Sequence, residues 1–189
     1  MYPRRFFDTL WRSELGDDVF VAMPFGDEFD PVWHEVFQPA VEEARPKALQ
    51  AKRVDVTVLS GDVVTAILDG IAHSRLVLAD ISVMSTGQRN GNVMYEVGLA
   101  HAVRTEPEVL IVRSDDEPLS FDVAGIQVHR YRREDLVESR AMVTKLLRAA
   151  LSAGTRNHPS HVTIELRSVR SARVCLDRIR ASSHAANWN

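Results

Sequence analysis

Two carboxylates frame the chemistry open to this chain. Asp80 and Glu96 lie in one stretch, LVLADISVMSTGQRNGNVMYEVGLAH, from Leu76 to His101. Leu76 to Ala79 is a short apolar run with the length and composition of a buried parallel strand, and Asp80 ends it. A polar loop, Ser82 to Gly91, leads into a helix for which Asn92 is the expected N-cap, with Val93, Val97, Ala100 and Val103 on one side. That cap puts Glu96 in the first turn, close to the donor-rich end. Strand, acid, loop and helix N-terminus in that order is where an open α/β sheet binds its ligand. Taken by themselves, these residues predict a site of nucleotide size and go no further.

The elements that must position them follow from the pattern on either side. Residues 1–17 mix aromatics and charges without a clear period and carry no assignment. Val19 to Met23 predicts a first strand that breaks into the loop Pro24-Phe25-Gly26-Asp27. Asp30 is expected to cap a helix with Pro31 at its first position, where the missing N–H costs nothing. Val32, Trp33, Val36, Phe37, Ala40, Val41 and Ala44 give that helix one broad apolar stripe, and Pro39 within it predicts a kink or an early stop. Val54 to Leu59, alternating around Asp55 and Thr57, reads as the second strand. Asp62 opens a helix with Val64, Ile67, Leu68 and Ile71 at i, i+3, i+4 and i+7. Arg75 to Asp80 is the third strand, Glu108 to Val112 the fourth, and Ile126 to Tyr131 a half-exposed edge strand. A last helix from about Asp135 buries Val143, Leu146, Leu147 and Ala150 and is expected to end at Gly154. Strands alternating with helices predict a parallel sheet of about five strands with helices on both faces. The chain divides into an N-terminal segment 1–17, an α/β domain 18–154 and a C-terminal extension 155–189.

Composition narrows the class. At 189 residues and 45% hydrophobic content, the chain suits one α/β domain and a terminal extension. The single cysteine, Cys175, excludes an intrachain disulfide and reads as a small buried apolar residue. No leader and no apolar run near membrane-spanning length is evident, so a cytoplasmic protein is expected. A formal net charge of -3 gives no global drive towards nucleic acid. The arginines at 156, 167, 170, 173, 178 and 180 make the extension basic, most simply as a solvated face, with a phosphate or partner surface as the lesser reading. A nucleic-acid-binding module is disfavoured, because no reading motif accompanies them. Neither His158 nor His161 reads as a metal ligand, and no metal or organic cofactor is expected.

Val19-Phe20-Val21-Ala22-Met23-Pro24-Phe25, then Leu78-Ala79-Asp80-Ile81, then the segment Asn92-Val93-Met94-Tyr95-Glu96-Val97-Gly98-Leu99-Ala100-His101-Ala102 resemble the nucleoside 2-deoxyribosyltransferase-like family. That group shades into the Toll/interleukin-1 receptor-like domains of bacterial defence systems. The likeness covers roughly residues 18–150, including Pro118-Leu119-Ser120-Phe121-Asp122, and its specific part is Asn-Val-x-Tyr-Glu-x-Gly. It implies a three-layer, flavodoxin-like fold and cleavage of an N-glycosidic bond in a nucleoside or nucleotide, by hydrolysis or transfer.

The same resemblance implies roles for named residues. Glu96 would attack the anomeric carbon, ionised by its helix N-terminus. Asp80 would handle the base or leaving group, or else cap the following loop. Met23, Pro24, Phe25, Gly26 and Phe29 would cover base and sugar or serve as core. Ser82 counts with the substrate-binding positions, and Asn90 and Asn92 would meet sugar hydroxyls unless Asn92 is only the cap. Tyr95 would hydrogen-bond Glu96 or pack, Gly98 would allow a close approach or simple packing, and His101 reads as structural. The loop from Ile81 to Gly91 is longer than the compact one usual in the family, and its Arg89 would either meet a phosphate or stand exposed. Homo-oligomers are implied. Two rivals remain: an NAD glycohydrolase acting in defence, and a nucleotide-sensing or interaction domain without turnover.

Overall fold

Apolar runs that alternate with amphipathic helices fold into a five-stranded, all-parallel sheet of order β2-β1-β3-β4-β5 in the computed structural model. The structure describes residues 3–12, 14–44, 49–54, 63–119 and 125–157. His158, His161 and Cys175, with the rest of the C-terminal extension from residue 158 onward, lie outside them.

Each strand is short and takes its place by burial. β1 (Asp18–Ala22) and β3 (Leu76–Asp80) are buried along their whole length and pair with each other at the centre, Ala22 opposite Ala79. β4 (Val109–Arg113) continues the sheet and β5 (Val128–Arg130) closes one edge. The other edge is β2 (Gln50–Lys52), three residues paired with Asp18 to Phe20. The described second strand ends before Val54, and residues 55–59 of the expected Val54–Leu59 strand lie outside the described residues. Polar Gln50 and Lys52 pair through backbone at an exposed edge, which leaves no apolar alternation to read.

Strand alternation divides the core into two. On one face Val19, Val21, Leu76, Leu78, Leu110 and Val112 pack beneath α3 (Gln38–Ala44) and α6 (Leu136–Asn157), with Phe37 and Tyr131 edge to face. On the other, Phe20, Ala22, Val77, Ala79 and Ile111 pack beneath α4 (Val63–His73) and α5 (Gly91–Val103) through Ile71, Val93, Val97 and Ala100. These are the apolar stripes expected of the helices.

Local chemistry corrects several boundaries. α1 (Pro3–Leu10), unassigned from sequence, buries Phe6 against Leu68 and Ala72 of α4. The first long helix starts as α2 (Asp30–Val32), with Phe29 and not Asp30 in the cap position and Pro31 at its start. It then widens to a π-helical turn, Trp33–Phe37, before α3. The wide turn brings the chain to Pro39, which has no N–H to donate, so the helix neither stops nor loses its stripe there. α6 runs through Gly154 to Asn157, so that glycine is not the terminator expected.

Candidate active site

A cavity of about 340 Å³ opens over the carboxyl half of β1, between α4 and α5, beside the point where the strand order reverses. Phe20 to Met23 of β1 and its exit form the floor. Val63, Val64, Ile67 and Leu68 of α4 form one wall, and Asn90, Asn92, Val93, Tyr95, Glu96 and Leu99 of the α5 segment form the other. Phe25, Arg53 and Val54 stand at the carboxyl edge. Val64 and Phe25 are large apolar residues that would be wasted on solvent, each 42–43% exposed, and both line this space.

Close approach of α4 to β1 shapes the floor. Gly70 lies against Phe20, and a methyl group at that position would overlap the Phe20 ring. Gly98 is the reverse case. A side chain there would meet open space, so the close contact expected of Gly98 is not made, and it does not line the cavity.

Asn90 caps α5: its side-chain oxygen accepts from the backbone N–H groups of Asn92, 2.9 Å, and Val93, 3.3 Å. The cap expected at Asn92 is thus two residues earlier. Asn92 becomes an exposed helical residue on the cavity rim, and Glu96 moves out of the first turn. Its electrostatics change accordingly. No hydrogen bond or ion pair reaches Glu96 from the described residues, and burial in the apolar cavity pushes its pKa up to about 7. The expected ionisation by the helix end is outweighed by desolvation. Tyr95, 57% exposed, lines the same cavity but makes no hydrogen bond to Glu96.

Asp80 goes elsewhere. It shares the parity of Leu76 and Leu78, which places its side chain on the α3/α6 face, away from α5. There it is fully buried and accepts from the Ser82 N–H at 3.0 Å, the Ser82 hydroxyl at 2.5 Å and the Tyr131 hydroxyl at 2.7 Å. Ser82 in turn accepts from the Ser114 N–H at 2.8 Å. Burial raises the Asp80 pKa, and the donors from Ser82 and Tyr131 with the charge of Arg133 offset only part of that. Burial, with Asp80 beside it, likewise pushes the Tyr131 hydroxyl up. The structure does not bring Asp80 or Ser82 to the Glu96 cavity; both serve a buried network that ties β3 to β4 and Tyr131.

The loop after β1 divides in the same way. Met23 and Phe25 line the cavity. Pro24 is buried beside them without lining it, and Gly26, at φ +123°, turns the chain so that Phe29 N–H and Asp30 N–H both reach its carbonyl. Phe29 is core, wholly buried, with the Arg133 guanidinium 4.3 Å from its ring centre. His101 is exposed and lies outside this cavity.

The long Ile81–Gly91 loop is a small hairpin, with Val83 bridged to Arg89 and a turn at Gly87. Arg89 is committed to holding it: its guanidinium meets Asp115 at 2.9 Å and donates to the carbonyls of Ile81 and Glu117. Burial works against an ionised Asp115, but Arg89 and the N–H groups of Val83 and Glu117 hold its pKa below the ordinary value. Arg89 is therefore neither exposed nor available to a phosphate. Arg53, which sequence reasoning missed, lines the cavity instead. It follows an edge strand with no apolar signature, and the rings that flank it, Phe25 and Trp33, are far from it in sequence.

Among the described residues, no helix is long and apolar enough to cross a membrane, and no group of three or more His, Cys, Asp or Glu side chains is placed to hold a metal ion. No family model matches the sequence, and no curated protein matches it. Among solved structures the chain is similar to the metal-soaked Flv1 flavodiiron core from Synechocystis sp. PCC6803, with a TM-score of 0.52 at 10% identity. That likeness covers 76% of this chain and 37% of the other, so this chain spans little more than a third of it. At that identity the likeness is one of fold: a three-layer, flavodoxin-like α/β arrangement.

Proposed function

We propose that this chain cleaves the N-glycosidic bond of a nucleoside or nucleotide, with Glu96 as the nucleophile. One observation supports the reading above all: a half-buried carboxyl with no partner among the described residues, its pKa at about 7, in an apolar cavity beside the strand-order switch. The likeness of the Asn92–Gly98 segment to the nucleoside 2-deoxyribosyltransferase-like family points the same way.

The chemistry follows from an oxocarbenium-like centre, which an ionised carboxylate beneath the sugar stabilises. A Glu96 oxygen bonds to the anomeric carbon as the N–C bond breaks. The bond's electron pair leaves with the base nitrogen, which takes a proton from solvent. Water then attacks the anomeric carbon of the glycosyl ester, loses a proton, and Glu96 departs as carboxylate; a second base nitrogen in place of water makes the reaction a transfer. Since only ionised Glu96 attacks, kcat/KM should rise about tenfold per pH unit below about 7 and level off above it.

Chromatography of nucleosides, deoxynucleosides, their monophosphates and NAD after incubation tests the reading and names the substrate class. Wild-type protein should release free base or nicotinamide, and Glu96→Gln should release it about a thousandfold more slowly or less. A second reading, a nucleotide-binding domain without turnover, is favoured by one feature: among the described residues the cavity holds a single carboxyl, with Asp80 turned away. Saturable binding without released base, unaltered by Glu96→Gln, would establish that reading instead.

A further inference from the structure

We infer that Arg53 is the phosphate contact of this cavity, so that the ligand it is built for is a nucleotide and not the bare nucleoside. The inference deepens the reading of the Glu96 cavity given above and rests on it for where the ligand lies.

Arg53 directly follows β2 at the carboxyl edge of the sheet and lines the same cavity as Glu96. Its side chain is only 14% exposed. A guanidinium keeps its charge at any ordinary pH, so enclosing one is unfavourable unless something meets the charge. Besides a loose ion pair with Asp30, what meets it here is aromatic: the guanidinium carbon lies 4.6 Å from the Phe25 ring centre and 4.9 Å from that of Trp33. Ring faces stabilise a cation without consuming its N–H donors. Among the described residues the nearest carboxylate oxygen, on Asp30, is 3.9 Å away, beyond hydrogen-bond distance, and Nη1 otherwise reaches the Met23 sulfur at 4.0 Å. Among the described residues, no oxygen acceptor takes the donors of Arg53.

A flat cation held between rings, with its donor edge unspent, fits the paired oxygens of a phosphate. No other lysine or arginine among the described residues lines the cavity, since Arg89 is spent on Asp115 and two carbonyls. The volume, about 340 Å³, is at the small end of ligand sites and suits a mononucleotide.

Calorimetric titration of the full chain carrying Glu96→Gln keeps ligands intact. The probes are four 2′-deoxynucleosides, their 5′-monophosphates and NAD, each with Arg53 present and with Arg53→Met. The monophosphate should bind at least about tenfold more tightly than its nucleoside when Arg53 is present, and Arg53→Met should reduce that preference to under about twofold while leaving nucleoside affinity alone. No preference with Arg53 present, or a preference that survives Arg53→Met, overturns the inference. NAD binding more tightly than any monophosphate, with the same loss in Arg53→Met, keeps the contact and gives it to a pyrophosphate. Should Arg53→Met lower the unfolding temperature, Arg53→Lys provides the test: charge kept and fork lost, it should weaken monophosphate binding at least about threefold and nucleoside binding not at all. Base release by the wild-type chain is scored separately. Phosphate preference without release retains Arg53 and rejects the glycosidic step, and release without preference does the reverse.

Discussion

Asp80 and Glu96 share one strand-loop-helix unit yet live in opposite surroundings. Asp80 is wholly enclosed and meets Ser82 and Tyr131, whereas Glu96 has no partner among the described residues and faces an apolar cavity. Burial raises both pKa values, so a raised pKa does not tell the two roles apart. Partnership does. A carboxyl whose acceptor sites are filled by its own fold holds that fold together, while one left without donors has its interactions still to make.

The largest effect that would separate them is on turnover: Glu96→Gln should remove base release while the protein stays folded. Asp80→Ala should do the opposite in kind. It strands the Tyr131 hydroxyl and the Ser82 donors in the interior, and should lower stability by about 3 kcal/mol or more, read from denaturant unfolding. If Asp80→Ala leaves stability intact but removes activity, the division is wrong.

Linkage gives the next effect and its sign. The folded Glu96 pKa, about 7, lies above the ordinary glutamate value, so the folded state holds its proton longer than the unfolded chain does. The contribution of Glu96 to stability is complete below about pH 4.5 and falls as pH rises to about 7. Glu96→Gln should therefore stabilise the protein by on the order of 1–3 kcal/mol at pH 8 and hardly at all at pH 4, measured by unfolding at both pH values. A smaller contrast lies in two glycines. Gly70→Ala should cost about 1–3 kcal/mol by pressing on Phe20, and Gly98→Ala, facing open space in a helix, should gain about 0.5–1 kcal/mol, both visible as shifts in Tm.

What could be read from sequence had an apolar signature. Leu76–Ala79 and Val19–Met23 announce central strands because both their faces are buried, and Val93, Val97 and Ala100 announce a helix face because they recur at its period. β2 could not be read, since Gln50-Ala51-Lys52 has no apolar alternation and is placed by backbone pairing with β1 and a Lys52–Asp18 ion pair. That miss concealed Arg53, whose surroundings come from a loop and a helix far off in sequence. The cap was ambiguous because two asparagines flank Gly91, and the choice of Asn90 moves Glu96 two residues further along, out of the first turn. The partnership expected between Asp80 and Glu96 failed on parity: proximity in sequence put both near one sheet edge, while strand alternation turned Asp80 to the other side.

One measurement bears on the central claim most directly: peptide mass mapping of the wild-type chain, acid-quenched after incubation with 2′-fluoro-2′-deoxynucleosides and their monophosphates, whose slowed hydrolysis accumulates a glycosyl ester. The account predicts a glycosyl adduct on the peptide carrying Glu96, absent from Glu96→Gln and never on Asp80. Base release with no adduct on Glu96, or an adduct that maps to another residue, would contradict it.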